Sequence, residues 1–282
     1  MKHFIPDFLT IAPEELGKGQ AVQVRIVGNA ASLANDMART MAECIRQGHG
    51  EGRGATLIVP VGPVDQFPVL ARLVNEERLS LRDTVFINMD EYLTEKDEWV
   101  PFDHPLSFRG YMKHKFYDAV DAEYAPPLEN RVFPDPRDPE VIGRLIAERG
   151  GVDVCFGGIG INGHIAFNEP PEPGVSCTVE AFAALPTRVL DVARETRAIN
   201  SVTVGGELSV VPRRCITVGM KEILASRRLR FYSNRPWQPG VVRRALHGPL
   251  TPACPASYLR THADAVLTLT DEAAALPEVR LR

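Results

Sequence analysis

The stretch GGIGINGHIAFNEP, residues 157–170, directly follows an apolar run at residues 152–156. The apolar run is typical of a buried strand, and the glycines after it allow the backbone to approach a small ligand closely. His164 and Glu169 stand five residues apart within this turn. A histidine and a carboxylate that cluster at the end of a strand are candidates for proton transfer, so we predict an active site here.

A second acidic segment, NMDEY at residues 88–92, also follows an apolar run, which covers residues 85–87. Asp90 is expected at the rim of the sheet, where loss of water raises the pKa of a carboxyl group toward that of a useful general base. The same pattern fits a solvated turn, and the residues alone leave both alternatives open. Tyr92 is expected to be a core aromatic in preference to a hydroxyl donor.

Apolar runs and helical patterns alternate along the chain. Predicted strands cover residues 55–61, 84–88, 152–156, 215–219, 229–233 and 265–269. Predicted helices cover residues 30–47, where Gly48 and Gly50 follow as stop signals, and 66–77, 107–120, 139–148, 220–224 and 241–246. This alternation predicts βαβ units and a mostly parallel sheet. Ligands of such sheets bind beyond the carboxyl ends of the strands, so residues 61–62, Asp90 and residues 157–164 are expected to share one pocket.

Composition excludes several classes of function. The 282 residues carry a formal net charge of -4, which supplies no broad positive field for nucleic acid or an anionic membrane. The 5 cysteines are widely spaced and form no Cys-x-x-Cys pair, which argues against a zinc knuckle or a disulfide framework. No stretch approaches the roughly 18 apolar residues that a membrane span needs. We therefore expect a cytoplasmic protein that binds neither nucleic acid nor membrane.

Residues 158–163 match the dinucleotide fingerprint G-x-G-x-x-G, so a nucleotide-binding turn must be considered. A helix should open within those glycines, whereas Pro170 and Pro171 soon stop any helix here. A metal site is also disfavoured, because no His-x-x-x-His pair and no set of three or four ligands at zinc spacing is present.

The segments NMDEY and GIGINGHIAFNEP, in this order, strongly resemble the glucosamine-6-phosphate deaminase family, and weaker similarity extends over most of the chain. The resemblance implies a single Rossmann-like α/β domain over residues 1–282, built as a three-layer sandwich around the sheet. It also implies conversion of an aminosugar to a ketose with release of ammonia, without an organic cofactor or a metal. A homo-oligomer is plausible for the family.

By this resemblance Asp90 moves a proton between sugar C2 and C1, His164 assists ring opening, and Glu169 holds and tunes the histidine. Asn162 belongs to the same catalytic group, although many deaminases carry aspartate there. An asparagine can orient His164 but cannot stabilise its cation by charge, so we expect altered tuning of the histidine and retained activity. Residues expected to contact substrate are Glu91, Gly62, Gly160, Gly163 and Asn168.

The largest departure from the family lies where the 6-phosphate is usually bound. The family has a Thr/Ser-Gly-Gly-Ser/Thr-Pro loop after its first buried strand, whereas residues 61–65 read VGPVD here. Val202 and Gln238 stand where the family has a basic residue, although Arg197, Lys221 or Arg235 can compensate. We therefore hypothesise that the substrate lacks the 6-phosphate, or that the protein holds the substrate differently. The alternatives are a sugar-responsive regulatory protein with a retained pocket, and a sugar-phosphate lactonase, which typically lacks the FNEP ending.

Overall fold

The computed structural model describes residues 4–62 and 65–280. Pro63 and Val64, which belong to the divergent phosphate loop, lie outside the described residues. The strands are β1 (Gln23–Ile26), β2 (Thr56–Val59), β3 (Val85–Asn88), β4 (Asp90–Leu93), β5 (Arg131–Val132), β6 (Val154–Gly158), β7 (Arg188–Asp191), β8 (Arg214–Thr217), β9 (Leu229–Ser233) and β10 (Ala265–Leu269).

Nine α-helices accompany these strands within the described ranges. They are α1 (Ala30–Gly50), α2 (Gln66–Glu77), α3 (Phe108–Met112), α4 (Val141–Glu148), α5 (Val179–Ala183), α6 (Arg194–Ser201), α7 (Met220–Leu224), α8 (Pro239–His247) and α9 (Asp271–Ala274). A π-helical turn, Lys113–Tyr117, continues directly from α3. Along residues 4–62 and 65–280, no helix combines the length and the apolar character that crossing a bilayer needs.

Seven strands form the central sheet in the order β1-β10-β9-β6-β2-β3-β5. Every neighbouring pair in this sheet is parallel. The prediction of an α/β fold with a mostly parallel sheet is confirmed. Because the strands are parallel, their carboxyl ends meet along one edge of the sheet, where the crevice for a ligand forms.

Helices cover both faces of this sheet. Successive strand residues point to opposite faces, so Ile58 belongs to one core cluster while Leu57 and Val59 belong to the other. The first cluster contains side chains of α4, α7 and α8, and the second contains side chains of α1, α2 and α3. The result is the three-layer sandwich that the resemblance implied.

A second sheet was not predicted. It has three strands in the order β4-β8-β7, and both of its pairings are antiparallel. The apolar run at residues 215–219, which we had expected in the parallel sheet, contributes to β8 of this small sheet. A single residue, Met89, separates β3 from β4, so the chain leaves the parallel sheet directly before Asp90.

The end of α1 also differs from the prediction. The helix continues through Gly48 and ends at Gly50, so Gly48 does not stop it. A Cβ atom on Gly48 would lie 2.6 Å from the backbone nitrogen of Ala55. This glycine is therefore required by the close approach of the segment that leads into β2, and not by a change of helix conformation.

Candidate active site

A cleft of about 200 Å³ opens at the carboxyl ends of the parallel strands. Val61 and Gly62 line it after β2, Asp90 lines it after β3, and Gly160 and His164 line it after β6. The structure thus brings together the three segments that were predicted to share a pocket. This position is the usual one for a ligand of a parallel α/β sheet.

Asp90 occupies the first position of β4, where its backbone pairs with Thr217 of β8. Only 8% of its surface is exposed, and its carboxylate makes no hydrogen bond to another described residue. Burial raises the pKa of Asp90 well above its ordinary value, and the charge of neighbouring Glu91 raises it further. A carboxylate in this state is a stronger base than an aspartate in water.

Glu91 lies outside the lining of the cleft, although the sequence suggested that it contacts substrate. Its carboxylate is fully buried and accepts hydrogen bonds from the backbone N–H groups of Tyr92, Phe108 and Arg109. The Arg109 guanidinium lies 3.3 Å from the same carboxylate. Burial raises the pKa of Glu91, while these N–H groups and Arg109 oppose the rise. Successive strand residues point in opposite directions, so the Glu91 side chain points away from the side on which Asp90 faces the cleft. In this position Glu91 caps the start of α3.

His164 is held on one side by three polar side chains. Its Nδ1 lies 2.9 Å from Asn162 Oδ1, 3.1 Å from Thr196 Oγ1 and 3.3 Å from Glu169 Oε2. A proton on Nδ1 can be donated into this group of oxygens, which leaves Nε2 of the neutral ring as the acceptor. The arrangement fixes both the orientation and the tautomer of the ring.

Asn162 bridges the histidine and the glutamate. Its Oδ1 accepts from the backbone N–H of His164, and its Nδ2 donates to Glu169 Oε2 at 2.8 Å. Burial raises the pKa of Glu169, but the His164 charge and the hydrogen bonds from His164, Asn162 and Thr196 outweigh it, so the pKa is lowered overall. Glu169 is therefore an ionised partner for the ring near neutral pH.

Two glycines and one alanine set the shape of this turn. A Cβ atom on Gly160 would lie 2.0 Å from the His164 ring, so the ring packs directly on the Gly160 backbone. Gly163 has a φ of +93° and packs against Cys254. Ala166, which lines the cleft, has a φ of 55°, a left-handed conformation that costs an alanine about 1 kcal/mol.

Asn168 is fully buried and does not line the cleft. Its Nδ2 donates to the backbone carbonyls of Ile165 and Val218, and its Oδ1 accepts from Arg188. These bonds tie the turn at residues 157–170 to β7 and to the residue that follows β8. Asn168 therefore acts on the turn, and any contact with substrate remains a prediction.

Several residues that line the cleft were not proposed from the sequence. They are Phe108 from α3, Asn200 from α6, and Tyr232, Asn234 and Trp237 from the end of β9 and the loop after it. Thr196 was also missed as a partner of His164. These residues are far along the chain from the two motifs, so the motifs do not indicate that they belong to the site. The end of β9, however, lies at the same edge of the sheet as the ends of β2, β3 and β6. That rule alone would have found residues 232–237.

The basic residues that were considered as phosphate ligands lie in different places. Arg235 lines the cleft, whereas Arg197 donates to the backbone carbonyls of Leu208 and Val211. Gln238 is also occupied, because it donates to the Ile159 carbonyl and accepts from the Arg235 N–H. Within the described part of the chain, Arg235 is the one arginine or lysine that lines the cleft.

The glycine motif does not form a dinucleotide-binding turn. After β6 the chain runs through turns, and the next α-helix begins only at Val179. The fingerprint requires a helix N-terminus at the glycines, so the dinucleotide alternative fails on geometry. Among the residues that the structure describes, no group of three or more His, Cys, Asp or Glu side chains is placed to hold a metal ion.

The fold is shared with solved sugar-phosphate enzymes. The 6-phosphogluconolactonase of Thermotoga maritima superposes with a TM-score of 0.64 at 13% identity, covering 89% of this chain and 100% of its own. At this identity the likeness concerns the fold alone. A monomeric glucosamine-6-phosphate deaminase superposes with a TM-score of 0.76 at 28% identity, covering 91% of this chain and 100% of that one.

Sequence relatives define the family. Over 271 residues the chain is 30% identical to glucosamine-6-phosphate deaminase of Rhodopirellula baltica, and this match covers 94% of this chain and 100% of the relative. It is 31% identical over 254 residues to the same enzyme of Exiguobacterium sibiricum, covering 89% of this chain and 91% of the relative. No family model matches the chain. The chain belongs to the glucosamine-6-phosphate deaminase family.

Proposed function

We propose that this protein is an aminosugar deaminase and isomerase, which converts a 2-amino-2-deoxy aldose to a ketose and releases ammonia. The observation that carries the proposal is the pairing, in one cleft, of a buried Asp90 with a His164 ring held by Glu169 and Asn162. One group is suited to take a proton from carbon, and the other to move a proton between sugar oxygens. Membership of the deaminase family supports the same activity.

The proposed reaction begins with ring opening. Nε2 of neutral His164 takes the proton of the C1 hydroxyl and returns a proton to the ring oxygen, which gives the open-chain aldehyde. The Nδ1 proton is held by the oxygens around it, so the ring passes through its cation while Glu169 supplies the opposing charge.

Proton transfer between carbons follows. The Asp90 carboxylate removes the C2 proton, and the C1 carbonyl oxygen takes a proton from the neighbouring 2-ammonium group of the substrate, which gives the neutral enolamine. Asp90 then delivers its proton to C1, which leaves an iminium cation at C2. Water adds to the iminium and the nitrogen leaves as ammonium, so the net change is one water consumed and one ammonium ion released with the ketose. A base shielded from water keeps the proton for its return.

We also propose that the preferred substrate does not depend on a 6-phosphate. The support is the divergent sequence at residues 61–65, the engagement of Gln238 with backbone groups, and Arg235 as the single cation along the described lining. Each charge-assisted contact with a phosphate that is lost weakens binding by about 1.5 to 3 kcal/mol, so the loss of two would lower affinity by orders of magnitude.

Ammonia release from glucosamine and from glucosamine 6-phosphate tests this choice of substrate. We expect kcat/KM for glucosamine to equal or exceed the value for the 6-phosphate. A strong preference for the 6-phosphate would overturn the proposed substrate while leaving the deaminase activity intact. The Arg235→Gln variant then tests whether Arg235 alone holds the phosphate. If it does, the variant's KM for glucosamine 6-phosphate rises about tenfold or more, while its KM for glucosamine is unaffected.

A further inference from the structure

A second and larger cavity lies beside α3, apart from the active-site cleft. Its volume is about 530 Å³, within the range of roughly 300 to 1000 Å³ that is usual for small-molecule sites. Its lining shares no residue with that of the cleft. Four aromatic rings contribute to its wall: Trp99, Phe102, Tyr117 and Phe133.

Apolar surface at this cavity faces water. Phe102 is 51% exposed and Leu128 is 78% exposed, and both line the cavity. Large apolar side chains that gather around a cavity and stay exposed mark a binding surface more often than isolated ones do. The walls combine these apolar groups with the planar guanidinium of Arg109, which lies 4.5 Å from the centre of the Trp99 ring and 4.4 Å from that of Phe102. A flat ring system can stack against such a wall.

The charge in this cavity is positive although the whole chain is acidic. Arg109, Lys113 and Arg131 line it, against the single carboxylate of Asp118. Lys113 forms an ion pair with Asp118, and Arg109 is paired with Glu91 behind the wall. After these pairs are counted, Arg131 is the one cation of the lining that forms no ion pair with a carboxylate of the described residues.

Arg131 is placed to bind an anion. Its Nε donates to the Pro126 carbonyl and its guanidinium packs over the Tyr117 ring at 4.8 Å, which fixes the side chain. The two terminal nitrogens donate to no other described residue. A planar guanidinium that is already held in place matches a carboxylate or phosphate with two parallel hydrogen bonds.

We propose that this cavity is a binding site for a small aromatic anion, a ring system that carries one carboxylate or phosphate group. The rings and Leu128 hold the apolar body, and the terminal nitrogens of Arg131 hold the anion with Lys113 nearby. The site lies next to the catalytic machinery, because Arg109 lines this cavity while its neighbour Phe108 lines the active-site cleft.

Calorimetric titration of the full chain tests the ligand class. The probes are 1-naphthoate and adenosine 5′-monophosphate, and their neutral counterparts are 1-naphthylmethanol and adenosine. We expect at least one anion to bind with an affinity about tenfold higher, or more, than that of its neutral counterpart. Which of the two anions binds more tightly shows whether the site prefers an aromatic acid or a nucleotide. No binding by either anion at millimolar concentration, or equal binding by the neutral compounds, would overturn the proposal.

The two tryptophans report where the probe binds. Trp99 lines the second cavity and Trp237 lines the active-site cleft, and the chain has no other tryptophan. We expect the bound anion to change the fluorescence of the Trp237→Phe variant, which retains Trp99, and to leave that of Trp99→Phe unchanged. The reverse result would locate the probe in the active-site cleft and contradict the assignment.

The Arg131→Gln variant tests the anion contact, and Arg137→Gln is the matched control because Arg137 is an exposed arginine outside the cavity. We expect Arg131→Gln to weaken binding about tenfold or more and Arg137→Gln to leave it unchanged. If Arg131→Gln lowers the Tm, Lys113→Gln provides the second test, because it exposes the Asp118 charge to the ligand. Unchanged affinity in a folded Arg131 or Lys113 variant would refute the site.

Discussion

Two adjacent carboxylates, Asp90 and Glu91, have opposite environments. Asp90 faces the cleft and accepts no hydrogen bond from a described residue, whereas Glu91 is buried on the other side and accepts several. From the sequence, Asp90 was expected to be the base and Glu91 to contact substrate, but nothing indicated that the Glu91 side chain lies outside the cleft. Strand alternation places only one of two neighbours in the cleft, and which one depends on where β4 begins.

The Glu91→Gln variant tests the electrostatic link between these neighbours. The Glu91 charge raises the pKa of Asp90, so its removal lowers that pKa. Asp90 must be ionised to act as the base, and kcat/KM therefore falls as pH drops through its raised pKa. We expect the acid limb of the pH profile of kcat/KM to move to lower pH in Glu91→Gln.

The same variant has a cost in stability, because a neutral amide replaces the carboxylate that caps α3. We expect the free energy of unfolding to fall by about 1 to 3 kcal/mol, measured by denaturant unfolding. An acid limb that stays in place in the folded variant would show that Glu91 does not tune Asp90.

Asn162 is the residue at which orientation and charge can be separated. Asn162→Asp keeps an oxygen for His164 but loses the N–H that donates to Glu169, and Asn162→Ala loses both. If the orientation of the His164 ring matters more than the bond to Glu169, kcat of Asn162→Ala falls by about 10- to 100-fold, while kcat of Asn162→Asp stays within about tenfold of the original enzyme. Equal losses in both variants, measured at the same pH, would assign the role to the bond with Glu169.

At the scale of elements, strongly patterned segments were predicted well. The ranges of α2, α7, β9 and β10 agree with the predicted residues 66–77, 220–224, 229–233 and 265–269. Strands β1, β5 and β7 were missed, because each is short and only partly buried or exposed, so none has a continuous apolar run. The small sheet was missed for another reason. Its antiparallel pairing joins β4 to β8, more than a hundred residues away, and local pattern carries no sign of it.

Gly48 and Gly50 near the end of α1 allow a matched test of close packing. An added Cβ on Gly48 would meet the backbone of Ala55 at 2.6 Å, whereas one on Gly50 would meet nothing within 4 Å. Alanine favours the helix over glycine by about 1 kcal/mol. We expect Gly50→Ala to raise the free energy of unfolding by up to that amount and Gly48→Ala to lower it. Similar gains in both variants, measured by urea unfolding, would contradict the packing.

At the scale of the whole molecule, the sequence predicted the fold class, the family and the edge of the sheet that carries the cleft. It did not predict how the cleft is completed, because Asn200, Tyr232 and Trp237 come from elements far from the two motifs. It also gave no sign of the second cavity, which depends on how α3, the loop before it and β5 pack together. The cytoplasmic location and the homo-oligomer remain predictions.

The central claim is that Asp90 acts as the base of an aminosugar deaminase. The most direct measurement is ammonia release from a panel of glucosamine, galactosamine, mannosamine and glucosamine 6-phosphate, with the original enzyme and with Asp90→Asn. We expect ammonia and ketose from at least one sugar, and a kcat lower by about 10²- to 10⁴-fold in Asp90→Asn. Ammonia from none of the sugars would favour a regulatory sugar-binding protein, and full turnover by Asp90→Asn would contradict the assigned base.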